Sequence, residues 1–93
     1  MEKLFTYKTR GVCSSAIDIV LDEHAVIQSV RFHGGCSGNT QGVARLVSGM
    51  PAAEAIQRLR GIRCGFKQTS CPDQLAQALQ SMLQTQLEEG IDA

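Results

Sequence analysis

The sequence has few aromatic residues, no long apolar run, no segment that resembles a signal peptide and no net charge, and these absences exclude several classes of protein. It has no Trp, and its aromatic residues are one Tyr and three Phe. No apolar run approaches the ~20 residues that a membrane-spanning helix needs. The polar first ten residues do not resemble a signal peptide, so we expect a cytoplasmic protein. Nine Lys and Arg balance nine Asp and Glu, and this neutrality argues against a nucleic-acid-binding protein, whose surface is usually basic.

The chain also lacks repeats, low-complexity tracts and linkers. Its 93 residues, of which 43% are hydrophobic, allow one domain with a modest core. We therefore expect one continuous unit.

The first half of the sequence alternates between apolar and polar residues, as β-strands do. The alternation predicts three strands, over residues 4–8, 15–21 and 26–33. Their predicted apolar face consists of Phe5, Tyr7, Ile17, Ile19, Leu21, Val26, Val30 and Phe32. A polar turn over residues 22–25 joins the second and third strands into an antiparallel hairpin.

The second half has the periodicity of helices. Three apolar stripes are predicted: Val43, Leu46, Val47 and Met50; Ala52, Ala55, Ile56 and Leu59; Leu75, Leu79, Met82 and Leu83. We expect Gly49 and Gly61 to end the first two helices and the third helix to end near Gly90. Ser70 and Asp73 resemble a capping box at the start of the third helix. Strands followed by helices predict a two-layer α+β domain, a small antiparallel sheet of about three strands covered by about three helices.

The main functional feature is a set of four cysteines: Cys13, Cys36, Cys64 and Cys71. In a reducing cytosol, cysteines more often bind metal or carry out redox chemistry than form structural disulfides. The predicted hairpin places Cys13 nearly opposite Cys36 at its open end. Cys71 begins the third helix, where the helix dipole favours a thiolate, and Cys64 lies on the loop before it. Four thiols on loops and element ends suit zinc or an iron–sulfur cluster.

Other interpretations of the cysteines stay open. No C-x-x-C pair occurs, and the spacing matches no standard zinc pattern. Unpaired cysteines are also common as buried packing residues, although none of these four lies in an apolar stripe. A thiol–disulfide redox protein is a third interpretation. Such a protein needs an adjacent dithiol, which Cys64 and Cys71 supply less well than a C-x-x-C pair does.

Positive charges surround Cys64: Arg58, Arg60, Arg63 and Lys67. They would offset an anionic thiolate–metal centre or attract an acidic partner, and a solvated helix end explains them as well. His33 ends its strand shortly before Cys36 and could be a ligand or a proton carrier. Its polar neighbours Ser29 and Arg31 favour a surface position instead. His24 is expected to be a solvated turn residue.

Residues 69–73 spell TSCPD, the motif that names the TSCPD domain family. The segments 11–14 (GVCS), 32–39 (FHGGCSGN) and 63–65 (RCG) resemble that family's other cysteine-bearing segments, and the resemblance extends over about residues 4–83. It implies a single TSCPD-like domain over residues 1–93, with a metal-binding site formed by the four cysteines. Related domains are appended to vitamin B12-dependent ribonucleotide reductases, and stand-alone members often inherit that enzyme's name.

Ribonucleotide reduction needs a large barrel, a radical source and a nucleotide pocket, which 93 residues cannot hold. We therefore expect that the chain is not an enzyme alone and that any ribonucleoside-diphosphate reductase label is inherited by family association. The resemblance implies an accessory role, with a ribonucleotide reductase or another metalloprotein as partner. The predicted edge strand over residues 4–8 could also pair two copies into a homodimer.

The order of the segments is similar, more distantly, to the iron–sulfur cluster assembly scaffold family, and this resemblance implies the scaffold's fold. Three residues fall on that family's cluster-ligating cysteines: Cys13, Cys36 and Cys71. Residues 49–55 fall on its Gly-to-Glu-Ala helix entry. The chain departs from the family at Ser14 and Ser15, which replace a Gly-Asp pair, and at Ser70, which replaces a histidine. Because Cys64 adds a fourth thiol, the site would retain metal rather than transfer it.

Overall fold

The structure is a computed structural model that describes residues 2–11, 14–34, 37–63 and 68–92. Its elements, in chain order, are β1 (Lys3–Lys8), β2 (Ser14–Leu21), β3 (Ile27–Gly34), α1 (Ser37–Val47), α2 (Ala52–Leu59) and α3 (Cys71–Asp92). The strands form one antiparallel sheet in the order β1-β2-β3. The predicted α+β class is therefore confirmed, with three strands followed by three helices. Within the described ranges, no helix combines the length and the apolarity needed to cross a membrane.

Cross-strand pairing gathers the predicted apolar residues on one face of the sheet. The paired rows on this face are Phe5–Ile19–Val30 and Tyr7–Ile17–Phe32. In the central strand β2, Ile17 and Ile19 are completely buried, because β1 and β3 flank them and the helices pack against this face. Each such side chain contributes about 1.5–3 kcal/mol of hydrophobic stabilisation.

A β-bulge at the start of β3 changes which of its residues are buried. The register shifts there, so that Leu21 pairs with Ile27 and Gln28 is the extra residue. As a result, Ile27 is completely buried. The prediction that Val26 belongs to the core face was wrong, because Val26 is half-buried and forms a bridge with Pro51 instead.

The helices bury most of the predicted stripes against the sheet. Their buried apolar residues are Val47, Ala52, Ala55, Ile56, Leu75, Ala76, Ala78, Leu79 and Met82. Leu46 was predicted for the same face but is 76% exposed. It lies at the edge of a shallow groove between α1 and α2, which Met50, Arg58 and Leu59 also line. The prediction for Leu46 was therefore wrong.

The predicted helix ends are confirmed for all three helices. Gly49 and Gly61 follow α1 and α2 with φ values of 85° and 83°, in the left-handed region that glycine adopts without steric cost. The third helix, α3, ends at Asp92, two residues beyond Gly90.

The turn end of the sheet, residues 22–26, is closed by one local side chain. Asp22 Oδ1 accepts hydrogen bonds from the backbone N–H groups of His24 and Val26, each at 2.9 Å. The connection between α1 and α2 lies beside this end, because the Gly49 N–H donates to the Ile27 carbonyl at 2.7 Å. The β2–β3 hairpin and the α1–α2 link are therefore joined here by backbone hydrogen bonds.

Candidate functional site

The structure describes one of the four predicted metal ligands. Cys71 is the half-buried first residue of α3, whereas Cys13, Cys36 and Cys64 lie outside the described residues. Among residues 2–11, 14–34, 37–63 and 68–92, no group of three or more His, Cys, Asp or Glu side chains is arranged to hold a metal. The four-cysteine site stays a prediction, and the geometry that bears on it is that of the flanking residues.

The flanks of Cys13 and Cys36 meet across the hairpin. Ser14, the residue after Cys13, pairs with Gly34, two residues before Cys36. One residue further into the sheet, the Ser15 hydroxyl donates to the His33 carbonyl at 3.2 Å. Both cysteine-bearing segments therefore leave the sheet at the end opposite the turn end, which we call the open end.

The segment before Cys13 also packs against the start of α3. The Arg10 N–H donates to Gln74 Oε1 at 3.0 Å. Gly11 has a φ of 71°, and a Cβ added there would lie 3.3 Å from Thr69 Cγ2. Glycine at this position therefore permits both the left-handed conformation and the close approach. The flanks of Cys13 and Cys71 are in contact as a result.

The described residues on both sides of Cys64 form hydrogen bonds. On the near side, the Gly61 N–H donates to Asp73 Oδ1 at 2.7 Å. Between the two sides, the Ser70 hydroxyl donates to the Ile62 carbonyl at 2.7 Å. The flanks of Cys64 are thus held against the first turn of α3.

The polar residues around Cys71 form the start of α3. Ser70 Oγ accepts the Asp73 N–H at 3.2 Å, which confirms the N-cap half of the predicted capping box. The carboxylate of Asp73 serves a different purpose from the one predicted, because it accepts hydrogen bonds from Gly61, Thr69 and Gln77. In a capping box it would instead accept from the backbone N–H of the capping residue.

Asp73 is 7% exposed, and two opposing effects act on its ionisation. Burial raises the pKa of its carboxyl, while the hydrogen bonds from the Thr69 hydroxyl, the Gly61 N–H and the Gln77 amide lower it. The hydrogen bonds prevail, so the pKa lies below its ordinary value. Asp73 is therefore a buried carboxylate that is ionised at neutral pH.

The basic residues near Cys64 have the features of a solvated helix end. Arg58 Nη2 lies 3.0 Å from Glu54 Oε1 within α2, and both side chains are substantially exposed. Arg60 and Arg63 are exposed, and Lys67 lies outside the described residues. Such an exposed pair contributes little energy, and it fits the interpretation of the described basic residues as a solvated helix end.

The two histidines lie in different environments. The side chain of His24 in the turn is 78% exposed, as predicted. His33 Nε2 lies 2.7 Å from Asp18 Oδ2, and the Thr6 hydroxyl donates to Asp18 Oδ1 at 2.7 Å. These hydrogen bonds, Thr6 first and then His33, lower the pKa of Asp18. His33 is thus a partly exposed strand residue, on the face of the sheet opposite the core.

Sequence analysis missed Asp18, and it missed the contacts that Asp73 makes in place of those of a capping box. Asp18 joins β1 to β3 because Thr6 lies opposite it and His33 lies diagonally across from it on the same face. The strand register, once known, is the signal that would have found this cluster. Thr69 and Gln77 are only four positions from Asp73, whereas Gly61 gave no signal in the sequence, because it approaches Asp73 only after α2 packs against α3.

Fold and contacts together define a two-layer α+β domain in which the described flanks of four cysteines meet at the open end of the sheet. The chain matches the TSCPD domain over residues 3–83 and belongs to that family. No curated protein and no solved structure matches it. The comparisons therefore give no support to the more distant resemblance to the iron–sulfur cluster assembly scaffold.

Proposed function

We propose that the chain is a small metal-binding module whose four cysteines hold one zinc ion or one iron–sulfur cluster. The proposed ligands are Cys13, Cys36, Cys64 and Cys71. The observation that carries the proposal is the meeting of their flanks at the open end: Ser14 with Gly34, Gly11 with Thr69, and Gly61 with Asp73.

The proposed ligands are close in sequence to those flanking residues. In the sequence, Cys13 directly precedes Ser14 and is two positions after Gly11, the described residue that approaches Thr69. Cys36 precedes Ser37, the first residue of α1, and Cys64 follows Arg63. Because consecutive Cα atoms are ~3.8 Å apart, the three other cysteines each lie within one peptide unit of a described residue, and Cys71 is itself described. The meeting of their described flanks therefore supports a shared site for the four cysteines.

The donor set fits these two kinds of centre. Thiolates bind zinc tetrahedrally or hold an iron–sulfur cluster, and hard cations such as magnesium prefer oxygen. Four protein ligands close the coordination shell of zinc, which is typical of structural sites. When bound, the metal would cross-link the four segments and supply folding free energy. The chain's own residues would contribute the thiolates and hold the loops that carry them.

The test is purification under anaerobic conditions, followed by elemental analysis and thiol titration. We expect about one zinc per chain, or iron with matching sulfide, and thiols that react slowly until a chelator is added. Serine in place of each cysteine should lower the metal content. Ser29→Cys is a matched control, since it adds a thiol on exposed β3 surface away from the open end; it should react at once and leave the metal content unchanged.

Zinc and iron at background level, with four rapidly titratable thiols, would contradict the proposal. Trapping of one preferred disulfide by mild oxidation of the metal-free protein would instead support a thiol–disulfide redox protein.

A further inference from the structure

Three side chains at the start of α3 form a continuous hydrogen-bonded network. Asp73 accepts from the Thr69 hydroxyl, and Thr69 Oγ1 in turn accepts from Gln74 Nε2 at 3.0 Å. We call these residues the Thr69–Asp73–Gln74 network. Gln77 extends it by donating to Asp73 Oδ2 at 2.9 Å.

Both ends of the network reach out to other segments of the chain. Asp73 Oδ1 accepts the backbone N–H of Gly61, at the end of α2. Gln74 Oε1 accepts the backbone N–H of Arg10, which is 64 positions away in sequence. The network therefore connects the segment before Cys13 and the segment before Cys64 to the helix that begins at Cys71.

Capping of α3 does not require this network. Ser70 already caps the helix through the Asp73 N–H, and a local cap leaves the carboxylate of Asp73 without a necessary role. Asp73 and Gln74 are only 7% and 4% exposed, and burying polar groups costs free energy unless every group finds a partner. No buried side-chain nitrogen or oxygen in the described part of the chain lacks one. A buried network in which every polar group has a partner fixes the relative positions of the segments that it joins.

We infer that the Thr69–Asp73–Gln74 network positions three of the cysteine-bearing segments for metal binding, so that Asp73 and Gln74 are positioning residues of the metal site. This inference rests on the proposed function. The fourth segment, before Cys36, is held independently by the pairing of Gly34 with Ser14. Hydrogen bonds outside the ligand set of a metal site orient the ligands, and their loss lowers metal affinity by about 10- to 100-fold.

The test compares zinc affinity among variants that are folded at the temperature of measurement, using competition with a chromophoric chelator. Thr69→Val and Gln74→Met each remove polar atoms of the network at nearly constant side-chain volume. We expect zinc affinity to fall by about 10- to 100-fold, and the absorption spectrum of the cobalt-substituted protein to change. Thr69→Ser retains the hydroxyl and should restore most of the affinity. Asp73→Asn should behave like Thr69→Val.

Two controls separate positioning from general stability. Ile56→Val shortens a core side chain of α2 and leaves the network intact, so its melting temperature should fall while zinc affinity and the cobalt spectrum stay the same. Asp22→Asn changes an aspartate that caps the remote turn end and should also leave affinity unchanged. If Ile56→Val weakens zinc binding as much as Thr69→Val does, the network acts only through stability and the inference is wrong.

The remaining outcomes distinguish the two proposals. Equal zinc affinity in the wild type and all network variants would overturn this inference alone. Absence of zinc and iron binding by the wild type would overturn the proposed function, and the inference with it.

Discussion

The two ends of the sheet each depend on an aspartate, and the two aspartates act over very different distances in the chain. At the turn end, Asp22 binds the N–H groups of residues two and four positions later. At the open end, Asp73 binds Gly61, Thr69 and Gln77, and the network it belongs to reaches Arg10. One carboxylate therefore closes a loop at the turn end, whereas at the open end the carboxylate of Asp73 and the amide of Gln74 together join three segments.

The difference follows from what each end must hold. The turn end joins consecutive strands, so a short local cap is sufficient. The open end brings together the residues after β1, the α2–α3 loop and the start of α3. Hydrogen bonds between neighbours in the sequence cannot hold these segments together. A buried polar network supplies directional contacts there, and the proposed metal would supply a further cross-link.

The largest expected effect is at the open end, from Cys13→Ser in metal-loaded protein. Loss of one ligand should lower the free energy of unfolding by several kcal/mol, since structural zinc binding is coupled to folding. Urea unfolding of the wild type and the variant, each with and without chelator, measures this. The chelator should destabilise the wild type far more than the variant. An identical response of both proteins to chelator would contradict the prediction.

The next effect compares the two aspartates in metal-free, reduced protein. Asp73→Asn should lower the free energy of unfolding by about 2 kcal/mol, because an amide cannot accept all the hydrogen bonds that the buried carboxylate accepts. Asp22→Asn should cost less, because its loop is local and solvated. Denaturant titrations of both variants test the order. Equal losses would show that long-range and local caps contribute alike.

A smaller loss of stability is expected when either of two glycines with positive φ is replaced by alanine. Gly49→Ala, near the turn end, meets open space and should cost about 1 kcal/mol for the left-handed conformation. Gly11→Ala carries the same conformational cost and in addition brings its Cβ to 3.3 Å from Thr69 Cγ2. It should therefore be the more destabilising of the two, by thermal unfolding. A larger loss of melting temperature in Gly49→Ala than in Gly11→Ala would mean that Thr69 moves away from the added Cβ without loss of stability.

The smallest effect concerns acid sensitivity at Asp18, on the sheet face between the two ends. Its folded-state pKa lies below the ordinary value of 3.8, so its stabilising effect is present above that pH and is lost as the pH falls through the folded-state pKa. The wild type should therefore have a higher melting temperature than Asp18→Asn at about pH 5, and the difference should shrink as the pH is lowered below 3.8. A difference that grows on acidification would contradict this.

Local patterns were sufficient to predict most of the fold. Alternation identified Ile17 and Ile19 as core residues, and helical spacing identified Ala55, Ile56 and Leu79, all of which are buried. The failures have non-local causes. Val26 and Ile27 exchanged roles because a bulge shifts the register, and Leu46 is exposed because it lies at the edge of the α1–α2 groove.

In the candidate site too, local patterns predicted some features and non-local contacts determined others. Cysteine spacing and the hairpin prediction placed the flanks of Cys13 and Cys36 at one end of the sheet, and the pairing of Ser14 with Gly34 agrees with that placement. Sequence spacing could not show that Gly61 and Arg10 both reach α3. Those partners are 12 and 64 positions from Asp73 and Gln74 respectively, so no local pattern relates them.

Periodicity, capping residues and the TSCPD motif are properties of neighbouring residues, and they were enough to establish the α+β class, the order of the elements and the family. Packing of the helices on the sheet decided the rest: the burial of residues such as Ile27 and the exposure of Leu46, and how Asp73 and Gln74 connect the segments that carry Cys13, Cys64 and Cys71. The physical reason is that a hydrogen bond between distant segments exists only after the sheet and helices have brought them within about 3 Å.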